Sequence, residues 1–310
     1  MPVSGSSNTS SPTSRKSCTS EAPPPGTKDS PVESLRGLIR LTHPFPTVLT
    51  ATLTGAIAIL AGGGLPTAAR LGAAMLLLQA SIGALNDLLD LDDDRPVKPS
   101  KPLVAGVVGR GQARAIVAVG LVGGLGLALV SGPMTLVLAA AGVSAGYLYD
   151  LRLKRTPWGP LAFAIGVPLL PVFAWFGAVG TLPGLFAALV PAAFLAGLGL
   201  ALSNAIADDR DDRASGVVTA VGRVGVRAAW WTHLAAFAAT IAIAMAALLA
   251  AGAKGPALWV VGVGCLLVVA GIVAARPGGR GRRPHGWEIE AVGLGVLATG
   301  WLLVLLPGTT

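Results

Sequence analysis

The stretch Asn86-Asp87-Leu88-Leu89-Asp90-Leu91-Asp92-Asp93-Asp94 ends a long apolar segment that begins near Thr67. On a helix, one side of this stretch carries four oxygen-bearing side chains, at about 0°, 100°, 40° and 80°: Asn86, Asp87, Asp90 and Asp94. Such a set suits Mg²⁺, which takes one or two carboxylates together with phosphate oxygens and water. The alternative is a helix end whose acids are simply solvated.

A second copy of this pattern ends another apolar segment. Its polar side chains project at about 0°, 40°, 340° and 80°, and they are Asn204, Asp208, Asp211 and Asp212. Nine of the fifteen acids of the chain fall in these two stretches. We therefore predict that the two helix ends are the two halves of one site. Asp92 and Asp209 project away from these faces and are predicted to be solvated.

The composition identifies the class of protein. The 310 residues are 53% hydrophobic and 12% charged, with a mean hydropathy of +0.70. Soluble domains carry about 25% charged residues, so this is a membrane protein. Residues 1–34 are rich in Ser, Thr and Pro and are predicted to form a disordered tail, followed by one domain over residues 35–310. Cys18 and Cys265 are isolated, which excludes a disulfide framework or a zinc site.

Nine apolar segments are long enough to cross a bilayer, which needs about 20 residues. They cover approximately residues 44–63, 67–89, 112–131, 134–150, 160–180, 183–207, 226–250, 256–275 and 287–306. With the N-terminus inside the cell, 21 of the 23 Lys and Arg residues fall in inner segments, and only Arg70 and Lys254 lie outside. This asymmetry predicts cytoplasmic positions for the N-terminus and both acidic stretches. The positive charge is therefore a topology signal, and it gives no support to nucleic-acid binding.

Basic residues follow the first acidic stretch and the fourth segment. The loop Arg95-Pro96-Val97-Lys98-Pro99-Ser100-Lys101-Pro102-Leu103 has three prolines, which predict an extended conformation. Lys98 and Lys101 here, with Arg152 and Lys154 after the fourth segment, are candidate anion contacts, and Tyr149 is a candidate wall or hydrogen-bond donor. Acids and bases on one membrane face suit a diphosphate bridged by Mg²⁺. The alternative is a topology signal with interfacial tyrosines.

These motifs resemble those of the UbiA-type intramembrane prenyltransferases. The first resemblance is Asn86-Asp87-x-x-Asp90-x-x-x-Asp94 followed by Lys98-Pro99-Ser100-Lys101-Pro102-Leu103; the second is Asp208-x-x-x-Asp212 with Gly216 and Thr219 behind it. The resemblance implies nine transmembrane helices around a central cavity, and Mg²⁺-dependent transfer of an isoprenyl group from its diphosphate to an acceptor. It implies a first metal site at Asn86, Asp87, Asp90 and Asp94 and a second at Asp208 and Asp212, with Asp211 as a further ligand and Asn204 supporting it. The second motif has more acids than is usual in the family, and aromatic residues are few.

Several alternatives stay open at this point. A terpene cyclase would use the same metal site without an acceptor. A cation transporter would also place acids in membrane helices, although it predicts them near the bilayer midplane. His43, His233 and His285 are scattered and are interpreted as interfacial or structural, so no residue stands out as a base. The acceptor is open between an aromatic ring, a quinone precursor and a lipid; the Lys-Pro loop favours the lipid and chlorophyll-type branches. The partners expected are a prenyl diphosphate and the lipid bilayer of the plasma membrane, with no obligate protein partner.

Overall fold

The computed structural model describes residue 1 and residues 31–214, 216, 218–277 and 285–305, with the backbone alone for Arg210 and Asp211. Within these residues the chain is helical. The helices are α1 Pro31–Leu41, α2 Pro44–Leu60, α3 Gly64–Leu89, α4 Leu91–Asp94, α5 Arg110–Leu129, α6 Pro133–Leu148, α7 Gly159–Val179, α8 Phe186–Ala214, α9 Ala220–Val224, α10 Val226–Ala250, α11 Ala257–Ala275 and α12 Gly286–Leu305. A π-helical turn, Tyr149–Leu153, continues α6.

The predicted all-α membrane bundle is confirmed. Among the described helices, eight are long and apolar enough to cross a membrane, and the count is nine if α1 and α2, a pair bent by 62°, form one broken span. All nine predicted segments correspond to helices. The largest difference is at α8, which continues past the predicted end at residue 207 to Ala214, so the second acidic stretch is helical. Helix α1 begins at Pro31, within the predicted tail, and residues 2–30 of that tail lie outside the described residues.

The helices form a ring that closes when α12 returns to α2. Helices α2, α3, α6, α7, α8, α10 and α12 supply the inner wall, whereas α5 packs on the outside of α3 and α11 on the outside of α12. Glycines permit the closest of these contacts: a Cβ on Gly264 of α11 would lie 2.5 Å from the backbone nitrogen of Leu297. Small residues bring helices together in this way in membranes, where hydrophobic burial does not drive association.

The loop between α4 and α5 is compact, and the predicted extended conformation is wrong. Its backbone makes turns, in which the amide of Lys98 donates to the carbonyl of Asp94 at 2.7 Å and that of Ala105 to Lys101 at 2.8 Å. Leu103 and Val108 are buried in an apolar cluster with residues of α1, α4 and α5. Prolines accept this conformation because their fixed φ also suits turns. The loop therefore folds back beneath the end of α3.

Candidate functional site

One cavity of about 560 Å³ occupies the centre of the helix ring. Its polar end is lined by His43, Asn86, Asp90, Lys98, Lys101, Tyr149, Asp150, Lys154, Asn204 and Asp208. The remainder is mostly apolar, with Gln79 and a few threonines among its lining residues, and runs between the helices toward the opposite end of the bundle. Both acidic helix ends thus reach the same end of one cavity, as the prediction of a joint site requires.

The first acidic stretch divides into two pairs of side chains. Asn86 and Asp90 line the cavity, whereas Asp87 and Asp94 are buried beside Lys101, whose Nζ donates to Asp87 Oδ1 at 2.7 Å and to Asp94 Oδ2 at 2.6 Å. This departs from the prediction that all four residues hold one ion. The shared face of the four residues spans about 100° of the helix. The compact loop covers the part that carries Asp87 and Asp94, because Lys101 lies against both.

Lys101 is held charged by the two carboxylates. Burial by itself would lower the pKa of Lys101, but the charges of Asp87 and Asp94 and the hydrogen bonds to them outweigh it and raise the pKa above its ordinary value. Lys98 also lines the cavity, with its Nζ 4.0 Å from Asp94 Oδ1. Both predicted lysines of the loop therefore present positive charge at the polar end.

The π-helical turn explains the placement of the third basic group. Its widened bonding, in which the amide of Lys154 donates to the carbonyl of Tyr149 at 2.8 Å, brings Tyr149, Asp150 and Lys154 to the cavity. Lys154 donates to Asp90. Burial would lower the pKa of Lys154, but the charge of Asp90 and the hydrogen bond to it raise it above its ordinary value. Arg152 is exposed on the other side of the turn and does not line the cavity, contrary to its prediction as an anion contact.

The second acidic stretch lies on the last turns of α8. Asn204 and Asp208 line the cavity. Asp212 lies beyond the membrane-spanning part of the helix, which ends at Asp209. Burial first, and then the charge of Asp208, raises the pKa of Asp212 to about 6, against a lowering by Lys98 and Lys154. Groups from both acidic stretches and from both basic segments therefore act on Asp212 at this end.

Asp209 and Asp211 are the other two acids of the second stretch. Asp209 is buried and accepts from Arg213 Nε at 2.9 Å, so its predicted solvation is wrong. The reason is the continuation of α8, which places Arg213 one turn further along the same helix. The side chain of Asp211 lies outside the described residues. Asp92, by contrast, is exposed as predicted and pairs with Arg95.

Two cavity residues escape the sequence analysis. Asp150 accepts from Asn86 Nδ2 at 2.8 Å through Oδ1, while its buried Oδ2 has no partner among the described residues. His43 directly precedes α2, has a left-handed φ of 50° and places Nε2 3.1 Å from Asp87 Oδ1. In the sequence, the features that could have pointed to Asp150 and His43 are a lone acid beside Tyr149 and a His-Pro step ahead of an apolar segment. Neither predicts by itself which helix end the side chain meets.

The oxygen donors at the polar end fit Mg²⁺. Among the described residues, no three Asp, Glu, His or Cys side chains converge as a ready metal cage. Mg²⁺ does not need one, because it binds through one or two carboxylates plus substrate phosphates and water. A cation at this end would give the partnerless Asp150 Oδ2 a partner and would offset both the burial of Asp212 and its repulsion by Asp208, the two causes of its raised pKa.

Comparisons with known proteins place this chain beside one family of membrane enzymes. A family model described as the UbiA prenyltransferase family matches residues 48–287. The digeranylgeranylglyceryl phosphate synthase of Methanoculleus marisnigri is 34% identical over 224 residues, covering 71% of this chain and 78% of the relative. The chloroplastic chlorophyll synthase of Arabidopsis thaliana is 30% identical over 179 residues, covering 54% of this chain and 46% of the relative.

Solved structures share the fold at low identity. A UbiA homolog from Aeropyrum pernix K1, in its apo form, has a TM-score of 0.68 and 23% identity over 84% of this chain and 98% of that chain. A UbiA homolog from Archaeoglobus fulgidus, bound to DMAPP and Mg²⁺, has a TM-score of 0.66 and 19% identity over 87% and 99%. The same helix ring therefore occurs in proteins whose sequences differ widely.

Proposed function

Because the chain belongs to the UbiA prenyltransferase family, we propose that it transfers an isoprenyl group from an allylic diphosphate to a lipid acceptor that carries a glyceryl phosphate. It is a multi-pass membrane protein and an enzyme of prenyl transfer. The observation that carries the proposal is the division of one cavity into a charged end and an apolar remainder. An isoprenyl diphosphate has the same division, with a charged head and a hydrocarbon tail.

Three of the proposed ion-binding residues, Asn86, Asp90 and Asp208, line the polar end of the cavity, and Asp212 lies one helical turn beyond Asp208 without lining it. Asn86 and Asp90 would hold Mg²⁺ from one side, and Asp208 and Asp212 from the other, with Asp211 as a further candidate. When bound, Mg²⁺ supplies positive charge to the diphosphate as it leaves. The hydrogen bond from Asn86 Nδ2 to Asp150 leaves the Asn86 carbonyl oxygen available as a ligand, so Asp150 positions it.

The basic residues of the polar end act on the leaving diphosphate in this proposal. Lys98, Lys101 and Lys154 face the diphosphate and stabilise the charge that gathers on it as the C–O bond to the allylic carbon breaks. Pyrophosphate leaves with the bonding electrons, and the acceptor hydroxyl forms the new C–O bond to that carbon while its proton passes to water. Asp87 and Asp94 position Lys101, and Tyr149 forms part of the wall with Phe163, their rings 5.3 Å apart.

The acceptor class and the orientation are supported by different observations. The relative from Methanoculleus marisnigri is named for a glyceryl phosphate product, and it matches the larger share of this chain. The Lys-Pro loop favours the same lipid branch. For orientation, the excess of Lys and Arg on the side of the acidic stretches supports a cytoplasmic polar end, with the plasma membrane as the proposed location.

The experiment measures Mg²⁺-dependent pyrophosphate release by the purified protein in lipid nanodiscs with geranylgeranyl diphosphate. We expect release to require geranylgeranylglyceryl phosphate, and mass spectrometry to find the doubly prenylated product. Release without any acceptor, with a cyclic hydrocarbon product, would instead indicate a terpene cyclase. Release that requires 4-hydroxybenzoate or chlorophyllide would overturn the lipid acceptor and keep the diphosphate chemistry.

A further inference from the structure

Helix α1 is short, charged and bent away from the helix that follows it. It has 11 residues, of which Glu33, Arg36 and Arg40 are charged, and it meets α2 at a bend of 62°. The break between the two helices contains His43, with its left-handed φ, and is followed by Pro44. Helix α2 has 17 residues, about the lower limit for crossing a bilayer alone, whereas charged groups are costly in the bilayer core. These features favour a position of α1 at the membrane surface, with α2 as the first span.

The side of α1 that faces the bundle packs on the loop between α4 and α5. Gly37 is buried, and a Cβ there would lie 2.8 Å from Val107 Cγ1. Arg40 Nη2 donates to the carbonyl of Ser100 at 3.0 Å. Ser100 lies between the two lysines that this loop brings to the cavity, so α1 holds the loop from outside.

The opposite side of α1 is an exposed apolar stripe. Val32, Leu35 and Ile39 project at about 0°, 300° and 340° around the helix, and they are 61%, 57% and 50% exposed. Arg36 and Arg40 border the stripe at about 40° and 80°. An apolar stripe with cations beside it is typical of helices that lie in the headgroup layer of a membrane.

Two further arginines lie beside α1 at the start of α5. Leu41 of α1 and Ala113 of α5 are buried in the same apolar cluster, so Arg110 and Arg114 occupy the same end of the bundle as α1. Both are exposed, as is Arg36, and no ion pair links these three to another described residue. Helices α1 and α5 together hold four arginines and one acid. The surface therefore combines uncompensated positive charge with exposed hydrocarbon.

We propose that α1 binds an anionic phospholipid surface at the polar end of the bundle, with its apolar stripe in the acyl boundary and the arginines on lipid phosphates. A phospholipid fits both parts of this surface, because it offers an anion directly above hydrocarbon. A lipid with a net negative charge, such as phosphatidylglycerol, is preferred to a zwitterionic one. Because α1 also holds the loop between α4 and α5, lipid binding orders the loop that carries the lysines. The stripe and the four arginines lie apart from the cavity, since none of them lines it.

The first test places a fluorescent label in the stripe and measures its quenching by lipids. The full chain with Cys18→Ser and Cys265→Ala receives Leu35→Cys, is labelled with NBD, and is placed in phosphatidylcholine nanodiscs that hold a small fraction of a 5-doxyl lipid. We expect doxyl phosphatidylglycerol to quench at least about threefold more than doxyl phosphatidylcholine, since each Lys or Arg near a surface favours an anionic lipid by about fivefold. A label at Asp92→Cys, exposed at the same end of the bundle, should show little quenching by either lipid.

Substitution of the arginines tests the cause of the preference. Arg36→Gln with Arg40→Gln should bring quenching by the two lipids to within about 1.5-fold, as should salt at about 1 M, where the Debye length is about 3 Å. Arg152→Gln is the matched control: it removes an exposed cation from the same end of the bundle, outside α1, and should leave the preference unchanged. Equal quenching by the two lipids with both arginines present would overturn the proposal. Quenching at Leu35 no greater than at Asp92 would also overturn it, and would indicate that a protein surface covers the stripe.

Hydrogen exchange tests the connection from α1 to the loop. The amides of residues 96–108 should exchange at least about twofold more slowly in phosphatidylglycerol nanodiscs than in phosphatidylcholine nanodiscs, and the difference should vanish in the double arginine variant. Equal exchange in both lipids would overturn the ordering of the loop by lipid. Neither measurement requires turnover, so neither depends on the proposed function.

Discussion

The two acidic helix ends carry similar side chains but differ in their counter-charges. At the end of α3, the loop and the π-helical turn supply lysines to three carboxylates: Lys101 to Asp87 and Asp94, and Lys154 to Asp90. At the end of α8, Asp208 and Asp212 form no ion pair within the described part of the chain, and the pKa of Asp212 is raised to about 6 by burial and by Asp208.

This difference separates a preorganised half of the site from one that depends on its ligand. Carboxylates that already face lysines gain little from a further cation, because their charge is compensated. Carboxylates that repel each other in a partly buried position gain much more. We therefore expect the end of α8 to dominate metal affinity, and the end of α3 to dominate the shape of the diphosphate pocket.

The largest expected effect comes from Asp208→Asn, which removes a charge from the uncompensated end. We expect Mg²⁺-dependent pyrophosphate release to fall by roughly 10²–10³ in kcat, the scale at which a preorganised electrostatic contact acts. Calorimetric titration with Mg²⁺ and a non-hydrolysable diphosphate should show weaker binding. Asp92→Asn removes the same charge from an exposed side chain and should leave both measurements within about twofold.

Lys154→Met tests the preorganised half. The substitution removes a cation at the polar end and leaves Asp90 without its partner. We expect kcat to fall by roughly 10²-fold, because the leaving diphosphate loses one stabilising charge. Arginine at this position keeps the charge, so Lys154→Arg should recover part of the rate. Equal rates for the Met and Arg variants would show that Lys154 packs in the wall without acting on the charge.

Asp87→Asn should distinguish most clearly the role of the α3 end in stability from the role of the α8 end in metal binding. It removes the charge of Asp87, so Lys101 keeps Asp94 as its one close carboxylate and His43 Nε2 no longer faces a carboxylate at 3.1 Å; we therefore expect a loss of about 1–3 kcal/mol in the free energy of unfolding. Asp208→Asn should cost less stability, because it relieves repulsion. Thermal unfolding in nanodiscs measures the stability difference, and the calorimetric titration measures metal affinity. If Asp87→Asn weakened Mg²⁺ binding as much as Asp208→Asn does, the contrast between the ends would be wrong.

The sequence predicts the scaffold better than it predicts the contacts within the site. Apolar length predicts the helices that can cross a membrane, eight or nine among the described residues, and helical periodicity predicts that Asn86, Asp90, Asn204 and Asp208 share one cavity end. Periodicity cannot tell which part of a 100° face is covered by a returning loop, so the pairing of Asp87 and Asp94 with Lys101 is not predictable. Asp150 is missed because a π-helical turn, which has no clear sequence signature, directs it inward.

The smallest expected effect is that of Arg155→Ala, at the outer edge of the preorganised half. Arg155 pairs with Asp93 and links the segment after the π-helical turn to α4, close to the Lys154–Asp90 contact. Both side chains are partly exposed, and such pairs contribute about 0–1 kcal/mol. We therefore expect unfolding temperature and kcat to change little, within about threefold for kcat. A loss as large as that of Lys154→Met would mean that this outer pair, and not the buried lysines, holds the turn in place, since Arg155 itself does not line the cavity.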